Sequence, residues 1–209
     1  MSHRSLPFYL SVLVGIIVLF HIVGFIKAER SPIAIGSHAS IPRYALQNAR
    51  IYLDDGNYYR SALYLSEAVR SMEYLRDNSS GTSLKHLTTG LEALQQVEDY
   101  MAEDYFYSDK LNESSVIALN ALIYYEIESA RTFIMEDKVT EGIKALEIAV
   151  EHLRSALGFS KGNKKEYEIA VFSDIHEVIS NYSGDRSQMI AILDGILDEL
   201  KDLEISYTQ

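Results

Sequence analysis

Residues 49–69 read ARIYLDDGNYYRSALYLSEAV, and residues 130–150 read ARTFIMEDKVTEGIKALEIAV. The two stretches align without a gap at an offset of 81 residues. Tyr52 falls on Phe133, Leu53 on Ile134, Asp55 on Glu136, Leu65 on Leu146, and Ala68-Val69 on Ala149-Val150. In each, apolar residues recur at three- and four-residue intervals, break at a short polar run, and then resume. That pattern predicts a helix, a tight turn and a second helix. Its recurrence predicts an internal duplication within a helical array.

The rest of the chain beyond residue 42 agrees. No proline follows Pro42, and proline is what most often interrupts helices. Apolar stripes at helical spacing run through Leu84, Leu87, Leu91, Leu94, Val97 and Met101, and through Val116, Leu119, Ile123, Ile127 and Ile134. Two more follow, through Ile143, Leu146, Val150, Leu153 and Leu157, and through Met189, Leu193, Ile196, Leu200 and Leu203. Asn163 with Glu166, and Asp185 with Gln188, have the spacing of helix-capping boxes. The fold class is all-α. Helices are expected over about 42–54, 57–77, 82–106, 114–136, 139–157, 164–181 and 186–204, packed as an antiparallel array.

The two hairpins resemble the tetratricopeptide repeat. The matching positions are Ala49, Tyr52, Gly56, Tyr58, Ser61, Leu65 and Ala68, then Ala130, Phe133, Asp137, Val139, Gly142, Leu146 and Ala149. The resemblance covers about 20 residues of each copy, and it implies a scaffold that binds other proteins. Glu73 and Arg154 stand where the family closes its repeat with proline, and 81 is not a multiple of the family's 34-residue period. A regular tandem array is therefore not expected. Close packing of any two antiparallel helices selects much of the same pattern of small and large residues.

Upstream, residues 7–26 read PFYLSVLVGIIVLFHIVGFI without Asp, Glu, Lys or Arg. Twenty helical residues span about 30 Å, the thickness of a bilayer core. Phe8 and Tyr9 suit one membrane interface, and Lys27 and Arg30 the other. A cleaved signal peptide would have a shorter apolar run and a small-x-small site; Ile26 occupies one of those positions ahead of Ala28. Residues 1–28 are read as a single-pass transmembrane anchor, residues 29–41 as a linker with two prolines, and residues 42–209 as the helical domain. Arg4 balances Lys27 and Arg30, so charge does not settle orientation. Three Asn-x-Ser sequons, at Asn78, Asn112 and Asn181, are expected in loops. As glycan acceptors they would place the domain outside the cytoplasm.

Composition narrows the function. The formal net charge is -11, and Asp and Glu outnumber Lys and Arg by 30 to 19. Phosphate backbones demand the opposite balance, so nucleic acid is excluded as a partner. There is no cysteine, hence no disulfide framework, thiolate metal site or cysteine nucleophile. His38, His86, His152 and His176 form no pair at the three- or four-residue spacing of a helical metal site. No nucleophile elbow or phosphate-binding glycine loop is present, and no cofactor or enzymatic activity is expected.

Fifteen tyrosines without a tryptophan are too many for one core, since neighbours on a helix cannot all face inward. Tyr58, Tyr59, Tyr105 and Tyr107 lie beside Asp54, Asp55, Glu103 and Asp104 near expected turns. Tyrosine is favoured in interfaces, because it offers large contact area at little entropic cost. These eight residues are the candidate binding surface for a basic protein partner, in one patch or two. The expected function is a membrane-anchored helical interaction module, an accessory subunit of a membrane complex. The alternative is an extracytoplasmic small-ligand-binding or sensor domain with a pocket between helices.

Overall fold

The structure, a computed structural model, describes the backbone of residues 32–180 and 185–207. Seven helices are present among the described residues, and no strand. They are α1 (Pro32–Asp54), α2 (Tyr58–Asp77), α3 (Gly81–Ala102), α4 (Ser108–Met135), α5 (Val139–Phe159), α6 (Asn163–Ser180) and α7 (Arg186–Tyr207). The fold class is all-α, as the periodicity requires. The expected anchor over 7–26 lies outside the described residues. Among the described residues, no helix is long and apolar enough to cross a membrane.

Three boundaries differ from expectation by four residues or more. The linker expected over 29–41 is helical from Pro32 onward. Proline is tolerated in a helix's first turn, where its missing N–H would have had no partner. Pro42 lies inside α1 and deprives the His38 carbonyl of its helical donor; the compact unit of the chain begins at that residue. Helix α3 stops at Ala102, four residues early, and α4 starts at Ser108, six residues early. As a result Asn112 sits inside α4 rather than in a loop, with its side-chain oxygen buried. Asn78 does end a helix, capping α2 and donating its side-chain amide to the Tyr74 carbonyl at 2.8 Å. Asn181 lies outside the described residues.

Consecutive helices pack against each other from α2 to α7, and α4 also packs against α7. Helix α4 therefore touches α3, α5 and α7 and carries the middle of the core, with Leu119, Leu122, Ile123 and Ile127 fully buried. Helix α1 joins α2 through the Ser61 hydroxyl, which donates to the Ala49 carbonyl at 2.7 Å. It joins α5 through three polar contacts. Arg43 pairs with Glu151, the Gln47 amide donates to Ser155 at 2.9 Å, and Arg50 donates to the Gly158 carbonyl at 2.6 Å. Both members of these pairs rise together along the chain, so α1 and α5 run parallel.

The turn after α1 and the turn after α4 are built alike. Gly56 takes φ +71° and Asp137 φ +66°. The Gly56 N–H donates to Leu53 and the Asn57 N–H to Tyr52; the Asp137 N–H donates to Ile134 and the Lys138 N–H to Phe133. Each of these bonds recurs at the 81-residue offset. The left-handed residue lets the chain satisfy two terminal carbonyls of the preceding helix, the pattern of a Schellman cap. Beyond each turn the paired helices approach at small residues. Ala49, Ala68, Ala130 and Ala149 are all fully buried.

Candidate functional site

Helix α3 ends in the same kind of cap. Asp104 takes φ +63°, its N–H donates to Met101 at 3.2 Å, and the Tyr105 N–H donates to Tyr100 at 2.9 Å. The chain does not re-enter a helix at once. Tyr105, Phe106 and Tyr107 cross to Ser108 with Tyr107 extended, at φ -106° and ψ 107°. Three consecutive aromatic residues are thus held outside any helix.

Helices consecutive in the chain alternate direction, so the turn after α1 and the turn after α3 lie at the same end of the array. Side chains join them. The Tyr58 ring stacks on Phe106 with centroids 4.2 Å apart and planes 13° from parallel. The Ser108 hydroxyl reaches Asp54 at 3.5 Å. Tyr105 and Tyr107 lie with rings parallel at 6.2 Å, and Tyr100 meets Tyr107 edge-on at 6.5 Å. Offset and edge-on geometries match the ring quadrupoles. The two groups of candidate residues therefore form one aromatic patch rather than two.

The candidate residues remain accessible. Tyr59 is 75 % exposed, and Tyr58, Tyr105 and Tyr107 are about half exposed. Asp54, Asp55, Glu103 and Asp104 are all exposed around them. Arg50 lies 3.8 Å from Asp54, and Lys161, from the turn after α5, reaches Asp109 at 3.3 Å. Those exposed pairs offset part of the negative charge and are individually weak. Two residues absent from the candidate set belong here. Phe106 bridges the two turns, and Asp109 adds a fifth carboxylate. Phe106 is the middle of an uninterrupted aromatic triplet, which was its signal in the sequence.

Away from this end, two of the buried titratable groups have strongly shifted pKa values. Glu126 on α4 is 3 % exposed, and burial raises its carboxyl to about 8 from the ordinary 4.5. One of its oxygens has no hydrogen-bond partner. His152 on α5 is fully buried; burial first, and then the Arg43 charge, lowers its imidazole to about 3 from 6.5. Neither His152 ring nitrogen has a partner. At neutral pH both side chains are uncharged in the folded chain.

In comparisons with known proteins, no family model, no curated protein and no solved structure matches this chain.

Proposed function

We propose that this chain is a membrane-anchored interaction module that docks a basic protein segment on the aromatic end formed by the turns after α1 and α3. The observation that carries this reading is the convergence of Tyr58, Phe106, Tyr105 and Tyr107 inside a rim of carboxylates. Half-exposed aromatic rings held by their neighbours lose little entropy on binding, which is what an interface anchor needs. The acidic rim would steer a basic partner and weaken in effect as salt screens it, over a Debye length of about 8 Å at physiological ionic strength. The two alike hairpins at the 81-residue offset support the resemblance to tetratricopeptide scaffolds, which present such surfaces from rigid helices.

Tyr59 and Tyr105 suit a test, because their exposure makes them dispensable for folding. Tyr59→Ala with Tyr105→Ala should weaken the partner by more than about 1 kcal/mol. Asp55→Asn with Glu103→Gln should mainly slow association and flatten its salt dependence. Both are read by recovery from native membranes in mild detergent, followed by binding kinetics with the recovered partner. Equal recovery by both variants and the parent would place the binding surface elsewhere.

The anchor is part of the same proposal, with residues 7–26 in the bilayer and the helical domain outside the cytoplasm. It rests on the uninterrupted apolar run and the poor cleavage site. N-terminal sequencing of membrane-extracted protein is expected to find residues ahead of Ala28. A mature chain starting near Glu29 would mean that the segment is a removed signal.

A further inference from the structure

Among the described residues, four arginines sit over aromatic rings. Arg43 lies 4.1 Å from the Tyr44 ring centroid, Arg60 5.3 Å from that of Tyr52, Arg50 5.3 Å from that of Phe159, and Arg154 5.9 Å from that of Phe172. Three of the four also pair with a carboxylate: Arg43 and Arg154 with Glu151, and Arg50 with Asp54. No lysine among the described residues lies over a ring. The guanidinium is planar and weakly hydrated, so its face can rest on a ring while its in-plane donors reach a carboxylate. The lysine ammonium is a compact, strongly hydrated point charge, and it gives up more water to do both.

The aromatic end has the rings and the carboxylates of this arrangement without the cation. The Tyr105 and Tyr107 rings are parallel to within 4°, and both are about half exposed. Tyr58, stacked on Phe106, is 47 % exposed. Among the described residues, no arginine or lysine stands over any of these four rings. The rim is only partly neutralised. Arg50 takes Asp54, and Lys161 takes Asp109. Asp55, Glu103 and Asp104 have no ion pair and no side-chain hydrogen bond among the described residues. Glu103 and Asp104 directly precede Tyr105, so free carboxylates and open ring faces are neighbours in the chain.

We propose that the aromatic end receives an arginine of its partner, the guanidinium lying over the Tyr105 and Tyr107 rings and its donors pairing with the free carboxylates of the rim. This deepens, and rests on, the reading of that end as the docking surface for a basic segment. The electron-rich ring faces attract a cation within about 6 Å of their centroids. The carboxylates accept from the guanidinium fork in its own plane. An exposed ion pair alone is weak and scarcely distinguishes arginine from lysine. The rings supply the discrimination.

The test uses the full chain in detergent micelles near neutral pH and at low ionic strength. Three glycine-rich peptides of one length, carrying two arginines, two lysines or two citrullines, are compared by titration calorimetry. Citrulline keeps the planar shape of arginine without its charge. The arginine peptide should bind about fivefold more tightly than the lysine peptide, and the citrulline peptide weakest of the three. Tyr105→Leu with Tyr107→Leu keeps apolar bulk but removes the ring faces, and should bring the arginine peptide down to the lysine value. Asp55→Asn with Glu103→Gln should weaken both charged peptides alike. If the leucine pair does not fold, the ratio of the two affinities for the parent still decides. Equal affinities for arginine and lysine would overturn the guanidinium and leave the basic-partner reading, which rests on recovery from native membranes, standing. An arginine preference unchanged in both variants would overturn the inference and that reading together.

Discussion

Replacing Glu126 by Gln should stabilise the folded chain progressively as pH rises from about 4.5 to about 8, by about 1.4 kcal/mol per unit. The sign follows from the direction of the shift. The folded pKa is raised to about 8 from 4.5, so above 4.5 the unfolded chain releases a proton that the folded chain keeps. The contribution of Glu126 is fully present below 4.5 and is lost as pH climbs through 8. His152 acts in the opposite sense, with a folded value lowered to about 3 from 6.5. Its contribution is present above 6.5 and is lost as pH falls through 3. Between 4.5 and 6.5 the two slopes cancel. Taken alone, these groups give a plateau there, with a fall of about 2 kcal/mol by pH 8 and a similar fall by pH 3. Denaturant titrations of the parent, Glu126→Gln and His152→Leu across this range read both limbs. A parent and a Glu126→Gln curve that stay parallel from pH 5 to pH 8 would show that Glu126 is ionised in the folded chain.

Both groups were legible as buried, though not as titrating. Glu126 falls on the stripe of Leu119, Leu122, Ile123, Ile127 and Ala130, and His152 on that of Ala149, Leu153 and Ala156, all buried. A polar residue on an apolar stripe is the signal, because helical periodicity assigns a face whatever the residue type. The turn at Asp137 has no glycine, yet alignment with Gly56 marked it, and the same positive φ is found at both. The start of α4 was harder to place. Ser108, Asp109, Lys110 and Glu113 are polar, and polar first turns of helices look like loops. The seam between α1 and α5 was out of reach. Its partners stand 108 residues apart on parallel helices, and no local pattern encodes which non-consecutive helices meet. Gly90 shows the same limit. A Cβ there would come within 3.0 Å of Ala118 and Ala121, so it is the contact point of α3 on α4, but in the sequence it is only a helix-weakening residue.

The close packing of α5 on α4 at Gly142 should prove intolerant of a single side chain. Gly142 is the counterpart of Ser61 at the 81-residue offset, and both are buried. In the first hairpin the Ser61 hydroxyl bonds the Ala49 carbonyl. In the second, a Cβ on Gly142 would stand 3.0 Å from the equivalent carbonyl, that of Ala130, and 2.7 Å from Cγ1 of Ile134. The second distance cannot be accommodated by a flexible chain end, because Cγ1 is anchored at a β-branched carbon with a stiff χ1. The first hairpin has Leu53 at that position, branched one carbon further out. Gly142→Ser should therefore cost about 1–3 kcal/mol by overpacking. Ile134→Leu alone should cost under about 1.5 kcal/mol, as a volume-conserving exchange. Combined, they recreate the Leu and Ser pair of the first hairpin, and the hydroxyl gains the Ala130 carbonyl as acceptor. The double variant should then be more stable than the sum of the single losses by about 1 kcal/mol, a coupling expected of residues in direct contact. Denaturant midpoints of the four proteins in this cycle measure it. Strict additivity would mean that Ile134 is not the obstacle, and that the helices separate at the Ala130 carbonyl instead.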